Sequence, residues 1–460
     1  MILNIMLGYQ IAYIILFLLS VFLIIKGERK YSTLCFLIFV TKGLSLLPAE
    51  AGFIKATHLA FFYCIIFCII NATEIRLLFT RDVLVKRLFY LLVFFMVSIV
   101  VSILYFQIPI SMSIISGSRY LILVSFCFFF FLSKKDKQWL IKVLFYITLV
   151  VSIIFIIQAF TGLHILVASQ DELGSLDAHG FYHFRKGAAF ASLFLYIALF
   201  DNKLFPKYLR WFSALVFAIC LIATMYRVLI FTTFLTIVLI LLSRKASKKS
   251  IVIVFLLMGI TYIFQSQLMS DVQREGVTKS DLTYIIKGDF KQTGYHAEGG
   301  YTMLYRFAWM KERINRVVSN PIELLFGLGL TTDNKWATQK YHFKYGVLDN
   351  ESMQTSQIRT SDIGWGNFIT CYGLIGTLIF FYFYYTLIKR IRRYKEKSEI
   401  ARIMYYYLLT ALILMFSSMS VSEPYNFVPI FFMLAYIDGF MVIKKWSVNK
   451  DKLKLLTKKI

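Results

Sequence analysis

The sequence predicts an all-α polytopic membrane protein, with about thirteen transmembrane helices and one large, partly helical extracytoplasmic loop. Of its 460 residues, 59% are hydrophobic and 18% are aromatic, which is more apolar surface than a soluble domain buries. These residues form runs long enough to cross a hydrocarbon core. Every second connection between the runs is rich in lysine and arginine, as expected of connections that face the cytoplasm.

The predicted spans follow the apolar runs in order. They lie near residues 5–25, 32–49, 54–73, 88–106, 114–132, 138–160, 187–201, 208–224, 228–243, 251–267, 364–388, 402–421 and 426–443. The first run shows neither a basic segment before it nor a cleavage site after it, so we expect it to remain as a spanning helix. The basic connections on the cytoplasmic side are Lys26–Lys30, Arg76–Arg87, Lys134–Lys137, Lys203–Arg210, Arg244–Lys249, Lys389–Lys397 and the tail from Lys444.

This pattern divides the chain into four predicted regions. Residues 1–267 hold the first ten spans, 268–363 form the large loop, 364–443 hold the last three spans, and 444–460 form a basic cytoplasmic tail. The formal net charge is +25, yet the loop from Leu268 to Asp362 contains 12 Lys and Arg against 11 Asp and Glu. The surplus therefore lies in the short connections, which indicates membrane orientation rather than a surface for nucleic acid.

The sequence favours neither a metal nor a cofactor. All six cysteines fall in apolar runs, so the large loop must fold by packing and hydrogen bonds. His179 and His183 are four residues apart, but no third ligand is evident nearby. Paired carboxylates for a metal-bound nucleotide sugar and a glycine-rich loop for nucleotide phosphates are both missing from the sequence.

Within the large loop, the stretch from Tyr301 to Leu330 predicts a helix followed by a turn. Residues at intervals of three and four share one face of that helix, namely Arg306, Trp309, Met310, Arg313 and Val317. Asn320-Pro321 ends the helix, and we expect Gly327-Leu328-Gly329 to give backbone flexibility rather than a second helix. Guanidinium groups beside an aromatic ring suit a diphosphate; the alternative is a plain amphipathic surface helix.

Other charged residues lie on the same predicted outer side. Arg185 stands where a loop enters a span, and Arg227 stands in a tight outer turn, so together with Arg306 they could bind a diphosphate presented at headgroup depth. Each of the first two could instead anchor its helix at the interface. Asp362 precedes the span that begins near 364, where it could cap the helix or act as a general base. Further candidates are His183, His342, Glu351 and Trp309.

Four motifs together resemble the O-antigen polymerase and ligase superfamily of bacterial envelope glycosyltransferases. They occur in order as Arg185-Lys186-Gly187, Tyr226-Arg227, the Arg306-x-x-Trp309 helix that runs to Asn320-Pro321 and Gly327-x-Gly329, and Asp362-x-Gly364 followed by Tyr372-Gly373-Leu374-Ile375-Gly376. The resemblance covers roughly residues 180–390. The preceding part of the chain is similar to the family only as a series of spans.

The resemblance implies polymerisation of undecaprenyl-diphosphate-linked repeat units into O-antigen or capsular polysaccharide, on the outer face of the bacterial cytoplasmic membrane. From their positions on the predicted outer side, we expect Arg306 and Asp362 to be catalytic and Arg185, Arg227, Arg306 and Arg313 to bind the diphosphate. A flippase and a chain-length regulator are the expected protein partners. The family's ligases carry a histidine where this chain has Ser361-Asp362, which favours a polymerase. A ligase and a lipid-linked oligosaccharide flippase remain the alternatives, although a flippase is expected to show two related halves.

Overall fold

The computed structural model of this chain describes most of its helices and only part of the large loop. The described residues are 2–48, 50–51, 54–166, 175–176, 182–184, 188–224, 226–244, 287, 303–331, 340–341, 343–345, 347–349, 354–356, 363–415 and 424–438. Helix predominates throughout this part of the chain, as expected of an all-α membrane protein. The predicted span at 251–267 and the tail from 444 lie outside the described residues.

The helices of the first half are α1 (Ile2–Ile25), α2 (Arg29–Val40), α3 (Ala56–Ile70), α4 (Ala72–Arg81), α5 (Val83–Leu104), α6 (Ile110–Ser118), α7 (Ser125–Phe130) and α8 (Lys134–Thr161). Those of the second half are α9 (Ala191–Phe200), α10 (Lys207–Ala223), α11 (Arg227–Ser243), α12 (Met303–Val318), α13 (Pro321–Phe326), α14 (Gly364–Arg392), α15 (Glu399–Leu414) and α16 (427–438). Short 3₁₀ turns lie at Lys42–Ser45, Arg119–Val124 and Pro424–Asn426.

Three short antiparallel strand pairs occur in the connections between these helices. They are β1 (Glu50–Ala51) with β2 (Ile54–Lys55), β3 (Ser175–Leu176) with β4 (Tyr182–His183), and β5 (Val347–Asp349) with β6 (Gln354–Ser356). The last two pairs fall in connections that the sequence places outside. Because each strand is only two or three residues long, these pairs shape loops and build no core.

Five helices or helical stretches are long and apolar enough to cross a membrane: Leu7–Ile25, Val83–Leu104, Ile110–Phe130, Lys134–Thr161 and Gly364–Arg392. The pair α3 and α4 would add a sixth, although it bends by 86°. Helices also coincide with the predicted spans near 187–201, 208–224 and 228–243, but these have 10, 17 and 17 residues. The polytopic helical architecture is thus supported, whereas the count of thirteen spans stays a prediction.

Two predicted spans are interrupted in the structure. The run at 32–49 is helical only as far as Val40, where the chain enters the 3₁₀ turn. Helix α14 breaks at Gly373, whose backbone angles are φ 69° and ψ −177°. Such angles are accessible essentially to glycine alone, so this residue is what permits the break.

Buried charges hold one end of the helix bundle together. The Arg390 guanidinium pairs with Asp82 at 2.6 Å and also with Asp438, while the Lys137 ammonium donates to the Ala435 carbonyl at 3.0 Å. Asp82 also caps α5 by accepting from the Leu84 and Val85 amides. The connections that contain Asp82, Lys137 and Arg390 are all predicted to face the cytoplasm. They therefore lie at the same end of the bundle.

Candidate functional site

A cavity of about 460 Å³ lies between helices at the end of the bundle away from Arg390. Helix α2 starts at Arg29, which pairs with Glu74 in the basic end, and reaches the cavity at its other end. Its lining residues are Val40, Thr41, Lys42, Ser45, Ala188–Leu193, Leu221, Leu229, Met404, Tyr407, Tyr425, Asn426, Pro429 and Ile430. The volume is within the range of small-molecule sites, so the cavity is large enough for a substituted headgroup.

The wall of this cavity contains unusual backbone conformations. Lys42, Ser45 and Phe190 have φ values of 54°, 66° and 67°, in the left-handed region. They are three of the five non-glycine residues with positive φ in the described part of the chain. Each such residue costs on the order of 1 kcal/mol, and such residues concentrate at functional sites because the surrounding structure must enforce them.

A smaller cavity of about 80 Å³ adjoins the first, and Ser192, Leu229, Tyr407, Asn426 and Ile430 line both. Its wall is mostly apolar but includes hydroxyl groups from α11 and α15; the Thr236 and Thr410 hydroxyls lie 2.7 Å apart. The small cavity therefore offers a few hydroxyl groups within a hydrophobic bundle.

Two of the arginines predicted to bind diphosphate lie two or three residues before residues that line the large cavity. Arg185 lies outside the described residues, and the wall begins three residues later at Ala188. Arg227 is the first residue of α11, with its side chain outside the described part, and Leu229 lines both cavities. His183 ends β4, and only its backbone is described. His342, Glu351 and Asp362 also lie outside the described residues.

Helix α12 forms as predicted, and its Trp309 side chain is fully buried. The indole packs on α14 at Gly366, where a β-carbon would lie 2.3 Å from the ring. Tyr305 and Ile363 complete this apolar contact. Trp309 thus fastens the loop helix to the start of α14, which is a packing role.

Arg313 is enclosed by protein rather than presented to a ligand. Its guanidinium is 0% exposed, lies 4.2 Å from the Trp309 ring centre and 4.1 Å from that of Phe343, and donates to Glu312 at 2.7 Å. It also donates to the Tyr345 carbonyl. This burial revises the predicted role of Arg313: in this arrangement it positions residues 343–345 against α12 and has no surface left for a diphosphate.

Arg306 is half-buried on α12, and it is not among the described residues that line either cavity. A chain of contacts nevertheless connects its helix with them. Trp309 packs on the first turn of α14, the Trp365 amide in that turn donates to the Met415 carbonyl at 3.2 Å, and the preceding Leu414 lines the smaller cavity. The start of α14, immediately after Asp362, is therefore next to the cavity wall.

Pro321 begins a second helix, α13, contrary to the expectation of a flexible turn. Asn320 caps it by accepting from the Ile322 amide at 2.9 Å, and proline suits a first helical position because its missing N–H has no partner there. Phe326 then stacks on Phe94 with ring centres 5.8 Å apart. Phe94 is halfway along α5, so this part of the loop enters the helix bundle.

The glycines that follow are closely packed rather than flexible. A β-carbon on Gly327 would lie 2.3 Å from the Thr370 carbonyl oxygen, and one on Gly373 would lie 2.5 Å from that of Leu324. The Leu328 amide donates to Thr370 at 2.7 Å. The backbone of the loop therefore packs into the break in α14 and supplies a hydrogen bond to the interrupted helix.

Lys42 was not identified from the sequence, because it falls inside an apolar run that predicts an uninterrupted span. The only local signal is Thr41-Lys42-Gly43, a charged residue before a glycine within that run. Such a pair would have indicated the end of the helix.

No protein-family model matches this chain, and no curated protein is significantly similar to it.

Proposed function

We propose that this protein is a glycosyltransferase of the bacterial cytoplasmic membrane that polymerises undecaprenyl-diphosphate-linked oligosaccharide repeat units into surface polysaccharide. The observation that carries the proposal is the large cavity at the end of the bundle away from the basic connections. Its wall continues from the segments that contain Arg185 and Arg227. The smaller cavity that adjoins it lies beside the start of α14, where the large loop returns. The positive-inside rule predicts that this end lies outside the cytoplasm.

In the proposed reaction, a hydroxyl of the acceptor sugar attacks the anomeric carbon of the donor. A glycosidic C–O bond forms, and the bond between the anomeric carbon and the diphosphate oxygen breaks. Asp362 takes the hydroxyl proton as general base. Arg185, Arg227 and Arg306 bind the diphosphate and stabilise the charge that develops as it leaves.

The direct test is polymerisation by purified protein supplied with lipid-linked repeat units. Arg306→Lys keeps the charge but loses the planar fork, so both Arg306→Lys and Arg306→Ala should lose polymer. Arg316→Lys is the matched control, because Arg316 lies on the same helix and pairs at 2.9 Å with Glu323, a contact that lysine can keep. Normal polymer from both Arg306 variants, at normal protein level, would remove Arg306 from the site.

Asp362→Asn separates capping from catalysis, since asparagine caps a helix but is a far poorer base. We expect the variant protein to accumulate while chains stop at one repeat unit. Normal chain length would instead direct the search for the base to His342, Glu351 and His183.

Surface glycans of a deletion strain distinguish the proposed activity from its alternatives. Single repeat units on the surface indicate a lost polymerase. Full chains that stay on the lipid carrier would indicate a ligase, and missing surface units would indicate a flippase.

A further inference from the structure

The cavity of about 460 Å³ is lined by a cation whose role neither the fold nor the predicted site explains. Lys42 is the one charged residue among the described residues that line it. Its ammonium lies 5.0 Å from the centre of the Tyr425 ring, and within the described part of the chain it forms neither an ion pair nor a hydrogen bond. Lys42 is exposed, and among the described lining residues its ammonium supplies the only formal charge.

The backbone around Lys42 is held in a fixed but unfavourable shape. Lys42, Gly43, Leu44 and Ser45 all have positive φ, between 54° and 76°. The turn persists because it is enclosed: a β-carbon on Gly43 would meet the Tyr13 hydroxyl at 3.0 Å, and that hydroxyl donates to the Pro48 carbonyl at 2.6 Å. This enclosure fixes the point from which the lysine side chain extends along the wall.

Across the cavity, α9 contributes the positive end of its dipole. Ala191, Ser192 and Leu193 are its first three residues and all line the cavity. Phe190 precedes the helix and gives no side-chain cap, and in the described structure the Ser192 and Leu193 amides donate to no protein group. Uncapped first-turn amides attract anions, above all phosphate.

The adjoining small cavity offers hydroxyl groups to the rest of such a ligand. Thr233 is only 6% exposed, and its hydroxyl lies beside that of Tyr196, which lines the same cavity. A ligand that extends from the large cavity into the small one would meet both hydroxyls.

We propose that Lys42 and the first-turn amides of α9 bind a phosphoryl group of the lipid-linked substrate, while its attached sugar reaches the threonine-lined cavity. This assignment rests on the proposed function. It adds a second cationic contact on the wall formed by α2, apart from the arginines at 185 and 227.

Binding of undecaprenyl diphosphate to the purified full-length protein, in phosphatidylcholine nanodiscs, tests the proposal. Lys42→Gln should weaken binding at least tenfold, since a charge-assisted hydrogen bond contributes roughly 1.5–3 kcal/mol and 1.4 kcal/mol is a factor of ten. Lys42→Arg should largely restore it. The matched control is Lys55→Gln, because Lys55 pairs with Glu50 at 2.7 Å and does not line the cavity.

Unchanged affinity in Lys42→Gln, at unchanged thermal stability, would overturn the proposal. So would equal affinity for undecaprenol, which has no phosphate. Equal affinity for inorganic pyrophosphate, or equal displacement by phosphatidylglycerol, would overturn the assignment to the lipid-linked substrate. If Lys42→Gln does not fold, retained binding in Lys42→Arg with loss in Lys42→Met supports the charge requirement.

Polymerisation provides an independent readout. Wild-type protein that binds undecaprenyl diphosphate through Lys42 but forms no polymer contradicts the proposed function and leaves the anion site intact. If wild type forms polymer and Lys42→Gln binds undecaprenyl diphosphate as tightly as wild type does, the proposed anion site is contradicted. The proposed function is then unaffected.

Discussion

At the scale of single residues, Arg306 and Arg313 on one helix have different environments. Arg313 is enclosed between two aromatic rings and a carboxylate, whereas Arg306 is half-buried. Glu312 connects this arrangement with the rest of the loop, because it accepts from the Lys344 amide at 2.7 Å and the Tyr345 amide at 3.1 Å. The contacts of Arg313 give it a positioning role, whereas substrate contact by Arg306 stays a prediction.

We expect Arg313→Met to destabilise the loop by about 2–4 kcal/mol, from the lost cation–π contacts and charged hydrogen bonds. Thermal unfolding and limited proteolysis of the purified protein measure this. Lys311→Met, on the exposed side of the same helix, is the control. An unfolding temperature equal to that of wild type in Arg313→Met would contradict the positioning role.

Glu323 predicts a pH dependence of stability. It is 5% exposed, and burial raises the pKa of its carboxyl above the ordinary value, against the opposing effect of Arg316. The folded state therefore binds the Glu323 proton more tightly than the unfolded state does. The stability that protonated Glu323 contributes is fully present below the ordinary pKa and is lost as pH rises through the folded pKa.

As pH rises from the ordinary carboxyl value of 4.5 through the folded pKa, wild type should lose thermal stability relative to Glu323→Gln, which cannot ionise. The comparison removes pH effects from other groups, because both proteins share them. A constant difference between Glu323→Gln and wild type would contradict the raised pKa.

At the scale of elements, the decisive contact joins α13 to the break in α14. Gly327 and Gly373 approach back to back, since a β-carbon on either would lie within 2.8 Å of the other's backbone or its immediate neighbours. Both also have positive φ. The loop and the broken helix therefore depend on each other for their backbone geometry.

Gly327→Ala and Gly373→Ala should each destabilise the protein by more than about 3 kcal/mol, because strained φ adds to a backbone collision. Gly8→Ala is the matched control: it lies within α1, where an added β-carbon meets nothing within 4 Å, and alanine favours helix. Fluorescence-detected size exclusion of the three variants gives the comparison. Wild-type yield and stability from either loop variant would rule out this close contact.

At the scale of the whole molecule, charge separates the two ends of the bundle. Arg390 pairs with Asp82 and Asp438 at one end, while the described lining of the large cavity at the other end carries a single charged residue. Short basic connections face the cytoplasm in membrane proteins. This asymmetry predicts that the cavity opens on the opposite side.

Cysteine labelling tests that orientation through two positions outside the described residues. A membrane-impermeant reagent should reach a cysteine placed at Thr293 in the large loop of intact or outer-membrane-permeabilised cells. It should not reach one at Ser247, in a basic connection. Labelling at Ser247 with protection at Thr293 would invert the orientation and contradict the proposed function.

The sequence by itself determined the helical membrane character and the limits of α12. Both follow from local properties: apolar runs exclude water along their length, and Asn320-Pro321 stops a helix through its own backbone chemistry. Arg390, Asp82 and Asp438 lie at one end of the helix bundle. This agrees with the alternation of basic connections along the sequence. The motif order also indicated the segments that continue into the cavity wall.

Only the tertiary structure decided how deeply each charged side chain is buried. Arg306 and Arg313 lie on the same predicted face of α12. The burial of Arg313 nevertheless depends on Phe343 and Tyr345, which are about thirty residues away in sequence. The sequence did not show the turn at Lys42 because hydropathy is averaged over a window, and the residues around Lys42 are apolar. The turn at 42–45 is instead fixed by contacts with Tyr13 and Leu47. At the break near Gly373, the Leu328 amide, which follows α13, donates to the Thr370 carbonyl. A local sequence pattern cannot show a partner about forty residues away.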